Sequence, residues 1–151
     1  MDDDPIAFVK ARLDEDEAAA EAAGGSTPQG VWAQVDPERR PGRIDCDSGY
    51  VVTYDEGSPD EGQAPHIARH DPARMLREVE AKRAIVALHK PDGNPADEWY
   101  GSSVSCTECG GYTLIAGYGA RGYSSPWPCP TLRHLAAVWV GHPDYRPEWK
   151  P

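Results

Sequence analysis

Three cysteines in the second half of the chain constrain its fold more than any other feature. Cys106 and Cys109 are separated by two residues, and Cys129 follows after an apolar stretch and a glycine-rich segment. Two thiolates at this spacing can bind one tetrahedral ion, and Gly110 and Gly111 permit a tight turn after them. The third thiolate returns after a hairpin, at the start of a predicted helix. The pattern therefore predicts a treble-clef-like zinc knuckle that supplies three of the four usual ligands.

The fourth ligand is missing from its usual place, one turn into the helix that begins at Cys129. Our first choice is His89, in the last turn of the preceding predicted helix, with His134 and Cys46 as alternatives. Reduced thiols without a metal, and a redox pair or a disulfide, are the competing interpretations. The structural Zn²⁺ site is thus predicted to consist of His89, Cys106, Cys109 and Cys129.

Length and composition bound the size and the setting of the protein. A chain of 151 residues predicts one domain over residues 1–151, and 15 Gly with 15 Pro predict much turn and loop. No apolar run approaches the roughly 18 residues that a membrane span requires. Three aspartates, rather than a basic and apolar signal, stand near the start. We therefore expect a cytoplasmic protein, in which paired cysteines favour metal or redox chemistry over disulfides.

The net charge of −10 is unevenly distributed along the sequence. Residues 2–21 hold eight acids against two bases, whereas residues 65–90 hold six bases against three acids. An acidic chain repels phosphate, which argues against general nucleic-acid binding. The acidic first helix either keeps the protein in solution or imitates phosphates and occupies a DNA-binding protein. The basic side chains of residues 65–90 form either an anion-binding face or a solvated flank paired with Glu78 and Glu80.

Three helices are predicted, each with proline at its first position after a capping residue. They begin at Pro5, Pro72 and Pro130 and extend to Gly24, to about His89 and to about residue 140. Residues 14–30 are predicted to form an acidic helix extension and linker. The second helix has an apolar stripe that is expected to face the core and that comprises Met75, Leu76, Val79, Ile85, Val86 and Leu88.

Residues 31–35, 50–54 and 66–70 have β character and predict three antiparallel strands. Residues 36–62 are predicted to form mobile acidic loops around the middle strand, and residues 141–151 an extended tail whose aromatic side chains contact the body. A further strand at residues 112–116 precedes a glycine-rich bend. His66 and His70, on one face of the third strand, are either surface histidines or a second metal site. The predicted fold is α+β, a short antiparallel sheet with three helices around the knuckle.

With these elements placed, the chain resembles a family of small uncharacterised proteins from high-GC Gram-positive bacteria and their phages, known as a domain of unknown function. The resemblance rests on residues 8–17, 66–74, 77–89, 127–133 and 142–149. It implies a phage or mobile-element setting and a shared set of one histidine and three cysteines, without an activity, substrate or partner. The insert at residues 36–62 departs from the family pattern and carries Cys46, which makes Cys46 the least favoured ligand.

Together these features predict a zinc-stabilised, noncatalytic binding or adaptor protein whose partner is a protein. The main rival is a metal-dependent hydrolase, which needs an open coordination position and a nearby base. Glu98 and Glu108 are the candidate bases, but three thiolates make zinc a poor Lewis acid. Deaminase-like chemistry lacks its His-x-Glu partner here.

Overall fold

The computed structural model describes residues 4–25, 29–53, 59, 62–92, 105–109, 111–115, 119–123, 125 and 127–151. Within these residues the protein is α+β, with four α-helices and a three-stranded antiparallel sheet accompanied by two smaller two-stranded pairings. No described helix combines the length and hydropathy that a membrane span requires. The chain divides into two compact units, the sheet unit of residues 13–81 and the cysteine unit of residues 1–12 and 82–151.

Helix α1, Pro5–Gly24, begins where the sequence predicts. The Oδ1 atom of Asp4 accepts a hydrogen bond of 2.9 Å from the backbone N–H of Ile6, which satisfies one donor that the first turn leaves open. The helix gives way to Gly25, whose φ of +49° is a conformation that glycine adopts without steric cost. Its second half is not wholly solvated, because Ala20 is buried.

The three-stranded sheet of the sheet unit has the order β1-β2-β3, with β1 at Trp32–Gln34, β2 at Ile44–Cys46 and β3 at Val51–Thr53. Trp32 pairs with Cys46 and Ile44 pairs with Thr53. Strand β2 falls in a segment that the sequence predicts to be loop. Its burial alternates, with Ile44 and Cys46 inside, but three residues between prolines and glycines are too few to show a period of two.

The predicted strand at residues 66–70 is wrong, because these residues lie mainly in helix α2, Gln63–Arg69. Pro65 stands in its first turn, where a missing N–H costs no helical hydrogen bond, and Ala64 is its buried residue. The described residues therefore contain a fourth helix that the sequence analysis does not predict. His66 and His70 are consequently one helical turn apart, with ring centroids separated by 4.3 Å.

Helix α3, Pro72–Leu88, confirms the predicted second helix but corrects its orientation. Val79, Val86 and the following His89 are buried, whereas Ile85 is 37% exposed and Leu88 is 58% exposed. The buried residues are spaced by three and seven positions, so they follow one narrow face. The broad apolar stripe predicted from the spacing of these residues is wrong at Ile85 and Leu88. The expected ion pair on this helix is present, with Arg74 Nε 2.8 Å from Glu78 Oε1.

Asp71 connects the start of α3 to the sheet. Its Oδ1 accepts a 2.7 Å hydrogen bond from the backbone N–H of Arg74, and its Oδ2 lies 3.4 Å from the backbone N of Trp32 in β1. Because the carboxylate is buried, its removal leaves two backbone donors with poorer partners.

We predict that Asp71→Ala lowers the free energy of unfolding by about 1–2 kcal/mol, since it removes a helix cap and a link to the sheet. Asp71→Asn keeps an acceptor at the same place and is the matched control, with a loss of less than about 0.5 kcal/mol. Urea denaturation followed by circular dichroism measures both. Equal losses in the two variants would contradict the capping role.

The cysteine unit contains two short pairings, helix α4 and the C-terminal segment. Strand β4, Pro91–Asp92, pairs with β5, Ser105–Cys106, and β6, Gly111–Ile115, pairs with β7, Gly119–Tyr123. Thus part of the predicted glycine-rich bend is strand. Helix α4, Pro130–Ala136, follows, and the rings of Tyr145 and Trp149 lie 6.1 and 5.1 Å from that of Phe8. The aromatic side chains of the tail therefore contact the N-terminal part of α1 within this unit.

Candidate metal centre

The end of α3 is held against the Cys106–Cys109 turn by a short ladder and by one threonine. Pro91 pairs with Cys106, and the backbone N–H of Thr107 donates to the carbonyl of Lys90 at 2.9 Å. The Oγ1 of Thr107 lies 3.3 Å from both the N of Lys90 and the carbonyl oxygen of Leu88. The hydroxyl can accept a hydrogen bond from the N–H of Lys90 and donate one to the carbonyl of Leu88, so it binds the backbone on both sides of His89. This contact fixes His89 beside Cys106.

Cys129 reaches the same place from the start of α4. It is the N-cap residue, with extended backbone (φ −68°, ψ 161°), and Pro130 occupies the first helical position. The Nε of Arg133 donates to the carbonyl of Pro128 at 2.8 Å, which ties the first turn of the helix to the segment before it. The thiol of Cys129 is consequently presented from a fixed backbone rather than from a loose loop.

These elements bring the four predicted side chains together. One ligand atom from each of His89, Cys106, Cys109 and Cys129 lies within 4.8 Å of all the others. The Nδ1 of His89 is 3.3, 3.4 and 3.5 Å from the sulfurs of Cys106, Cys109 and Cys129. In a regular tetrahedral zinc site, bond lengths of 2.3 Å to sulfur and 2.0–2.1 Å to nitrogen place these atoms about 3.6 Å apart. The observed separations are close to that value.

A hydrogen-bonded cluster without metal does not explain this arrangement as well. An imidazole carries at most one hydrogen on Nδ1, and a single N–H points towards one acceptor. Here three sulfurs surround the same nitrogen at distances that differ by only 0.2 Å. One central cation, by contrast, is expected to hold four donor atoms at nearly equal separations. The donor set therefore fits a metal such as zinc.

Burial strengthens the case for a closed site. His89, Cys106 and Cys129 are buried, and Cys109 is half-buried. Burial, together with the neighbouring thiols of Cys129 and Cys106, raises the pKa of Cys109 to about 11 in the metal-free protein. A metal ion among these sulfurs would favour their thiolate forms and offset the mutual repulsion of the negative charges. Among the described His, Cys, Asp and Glu residues, this is the one group of three or more whose ligand atoms cluster in this way.

Comparison with known protein families assigns the chain to a family but adds no activity and no site. Residues 2–151 match the family described as "Family of unknown function (DUF6221)". The chain belongs to this family. The resemblance to a domain of unknown function is thereby confirmed over the whole chain. No curated protein and no solved structure matches the chain significantly.

The alternative ligands weighed for this DUF6221 chain are not part of the cluster. Cys46 lies in β2, where its sulfur is 3.1 Å from the hydroxyl of Ser48, a contact that lowers the pKa of the Cys46 thiol. His134 is on the exposed side of α4. Glu108, a candidate base, is exposed and is not among the clustered residues, and Glu98 lies outside the described residues. His89 is therefore the predicted fourth ligand that the geometry favours, and metal binding by this set stays a prediction.

Thr107 is a residue of this site that the sequence did not indicate to us. Its position between two candidate ligands was the available signal, because a hydroxyl there can bond to the backbone of a neighbouring segment. We predict that Thr107→Val weakens zinc binding by about tenfold, since both hydrogen bonds around His89 are lost. Competition with a chromogenic chelator measures the affinity.

The matched control is Thr53→Val, which removes a 2.7 Å hydrogen bond from Thr53 Oγ1 to the carbonyl of Gly42 in the sheet unit. It should lower stability without changing zinc affinity. Equal effects of the two valine variants on zinc affinity would mean that Thr107 acts only through general stability.

The raised pKa of Cys109 gives zinc binding a defined pH dependence. At any pH well below 11 the Cys109 thiol is protonated, so zinc must displace its proton on binding. The affinity for zinc should therefore fall by at least about tenfold for each pH unit below 9. In the metal-free protein the raised pKa favours the folded state below pH 9, and this contribution is lost as the pH rises through 11. Calorimetry in buffers of different ionisation enthalpy counts the protons released. Binding without proton release would contradict thiolate coordination.

Proposed function

We propose that the chain is a zinc-stabilised, noncatalytic binding or adaptor protein. The observation that carries this proposal is the convergence of four protein donor atoms, three of them on buried residues, within 4.8 Å. Four protein ligands saturate a tetrahedral zinc ion, whereas catalytic zinc sites keep one position for water or substrate. When bound, zinc would supply a cross-link between the end of α3, the Cys106–Cys109 turn and the start of α4.

The architecture around the site supports a treble-clef-like knuckle. A turn with two cysteines is followed by the β6–β7 pair and then by a helix that carries the third cysteine at its N-cap. The donor that departs from this arrangement is His89, which follows α3 instead of lying one turn into α4. The knuckle would thus connect elements on both sides of the ligand turn, as a structural site does when it cross-links the fold.

A hydrolase is the less favoured function because, within the part of the chain that the structure describes, no base lies among the clustered ligand atoms. No carboxylate belongs to the clustered ligand atoms among the described residues, and the Glu108 carboxylate is exposed. Three thiolates also transfer so much charge to zinc that a bound water would be weakly activated. The phosphate-mimicking role receives no support either, since Asp14, Glu15, Asp16 and Glu17 each interact with other groups of the chain.

A protein partner in the cytoplasm of a phage- or mobile-element-bearing bacterium is the setting we propose. The net charge of −10 disfavours nucleic acid as the direct partner. Leu88, Val138 and Val140 of the cysteine unit are exposed large apolar side chains, which are the kind of surface that a protein partner covers.

Metal analysis and cobalt substitution test this proposal. Purified protein should contain one zinc per chain, and removal of the zinc by a chelator should unfold the cysteine unit. Replacement by Co²⁺ should give the intense visible bands of a four-coordinate ion, together with thiolate-to-cobalt charge-transfer bands in the near ultraviolet. Small anions should leave both sets of bands unchanged. Bands that shift on addition of azide or cyanide would reveal an exchangeable position and favour an enzyme. Protein without stoichiometric metal that keeps its fold would overturn the structural role.

A further inference from the structure

A second feature of the cysteine unit is a cavity whose lining residues are distinct from the metal ligands. It has a volume of about 260 Å³ and lies between the first turns of α1 and the C-terminal segment. Phe8 and Trp149 contribute aromatic walls, and Arg12, Arg146 and Asp144 contribute charged groups. None of these residues is used by the metal centre. The cavity therefore needs its own explanation.

The aromatic walls form a fixed surface. The rings of Phe8 and Trp149 have centroids 5.1 Å apart at 49°, and Tyr145 lies 6.1 Å from each of them. The ring centroid of Trp139 lies 6.5 Å from that of Phe8, at an interplanar angle of 82°. Such tilted and perpendicular contacts are the favoured arrangements of aromatic pairs and limit the movement of each ring. A planar apolar ligand would thus meet a preformed surface.

The charged side chain of Arg12 is also held in place by defined contacts. Arg12 is only 8% exposed, and its guanidinium carbon lies 5.6 Å from the centre of the Phe8 ring. Its Nη1 donates to the ring of His142, and the backbone N–H of Asp144 lies 3.1 Å from Nδ1 of the same ring. His142 therefore fixes the guanidinium relative to the C-terminal segment. In a chain of net charge −10, this cavity is lined by two guanidinium groups and one carboxylate.

We propose that this cavity binds a small anion, a carboxylate or phosphate carried on a planar apolar body. A guanidinium presents its donors as a planar fork that matches both anions, and it stacks well with aromatic rings. The planar part of the ligand lies against Phe8 and Trp149, and the anion lies towards Arg12 and Arg146. Sites for drug-sized ligands have volumes of about 300–1,000 Å³, so a cavity of about 260 Å³ suits a small ligand such as a single-ring or fused-ring acid.

Titration of the zinc-loaded full chain with benzoate, phenyl phosphate and neutral benzamide tests the proposal. In ¹H–¹⁵N spectra, benzoate or phenyl phosphate should shift the signals of Ala11, Asp144 and the indole N–H of Trp149 saturably. Benzamide has the same shape without the charge, and it should bind at least about tenfold more weakly. The tighter of the two anions identifies the head group. Equal binding of benzamide, or no shift with either anion, would overturn the proposal.

Variants of Arg146 localise the anion. Arg146→Gln should weaken binding by at least about tenfold, and Arg146→Lys, which keeps the charge but loses the fork, should give an intermediate loss. Arg77→Gln removes one positive charge from an exposed position on α3 and is the matched control. Zinc content should be the same in all three variants. If Arg146→Gln and Arg77→Gln bind the probe equally, the cavity is not the site.

Discussion

Cys129→Ser is expected to abolish stoichiometric zinc binding and to lower the free energy of unfolding by several kcal/mol. Structural zinc sites bind with apparent free energies of about 10–16 kcal/mol at pH 7, and this energy contributes directly to folding. The Cys129 side chain is fully buried, and its sulfur lies 3.5 Å from Nδ1 of His89. A serine at this position is a poor zinc ligand and leaves a buried hydroxyl beside two thiols. Zinc analysis and urea denaturation, with and without chelator, measure the two effects.

Cys46→Ser is the matched control, because Cys46 is also a buried free cysteine but its sulfur contacts Ser48. It should keep one zinc per chain and change stability little. The structural-zinc hypothesis fails if Cys129→Ser has the melting temperature of the unmodified protein both with and without chelator. A marked loss of zinc in Cys46→Ser would instead place Cys46 in the site.

His89→Ala should weaken zinc binding by more than about 100-fold. Loss of a group that merely supports a ligand costs about 10–100-fold, so loss of a ligand should cost more. The alternative role of His89, a cation at the end of α3, is worth only about 0.3–1 kcal/mol and would leave zinc affinity within a few fold. Chelator competition separates these outcomes because they differ by orders of magnitude.

His134→Ala is the control for this experiment, since His134 is exposed on α4. It should leave zinc affinity unchanged. If both variants bind zinc as the unmodified protein does, neither histidine is a ligand. Cobalt spectra would then show a loss of band intensity in neither variant, and the fourth donor would have to be sought elsewhere.

The extent to which the sequence predicts this fold depends on how local each signal is. The starts of α1 and α3 are marked by aspartate followed by proline, and both aspartates cap their helices in the structure. The cysteine spacing likewise predicts the cluster, because a two-residue separation and a helix start are local features. His89 lies in this cluster, and its role as the fourth ligand stays a prediction. It is buried because it continues the face of Val79 and Val86, not because Ile85 and Leu88 face the core.

Features that depend on distant residues could not be predicted in this way. Strand β2 exists because Ile44 and Cys46 pair with β1 and β3, and three residues carry too little pattern to reveal it. Residues 63–69 form a helix, but the sequence of residues 66–70 is equally compatible with a short strand. A segment this short does not allow the sequence alone to decide between the two. The contact between Arg12 and His142 joins residues separated by 130 positions. No periodicity or motif in either segment indicates the other.

The cysteine unit is built from both ends of the sequence, residues 1–12 and 82–151. This arrangement implies an order in which its parts can fold during synthesis. The sheet unit, residues 13–81, is translated before any of the four metal ligands, and the last of these ligands precedes Trp149 by twenty positions. Compact units form as their residues emerge from the ribosome, whereas contacts between distant segments close late. Phe8, in the first turns of α1, therefore lacks its ring contacts with Tyr145 and Trp149 until those residues have been synthesised. Metal loading can therefore precede the docking of Trp149 against Phe8, and the aromatic cavity can be complete only after Trp149 has been made.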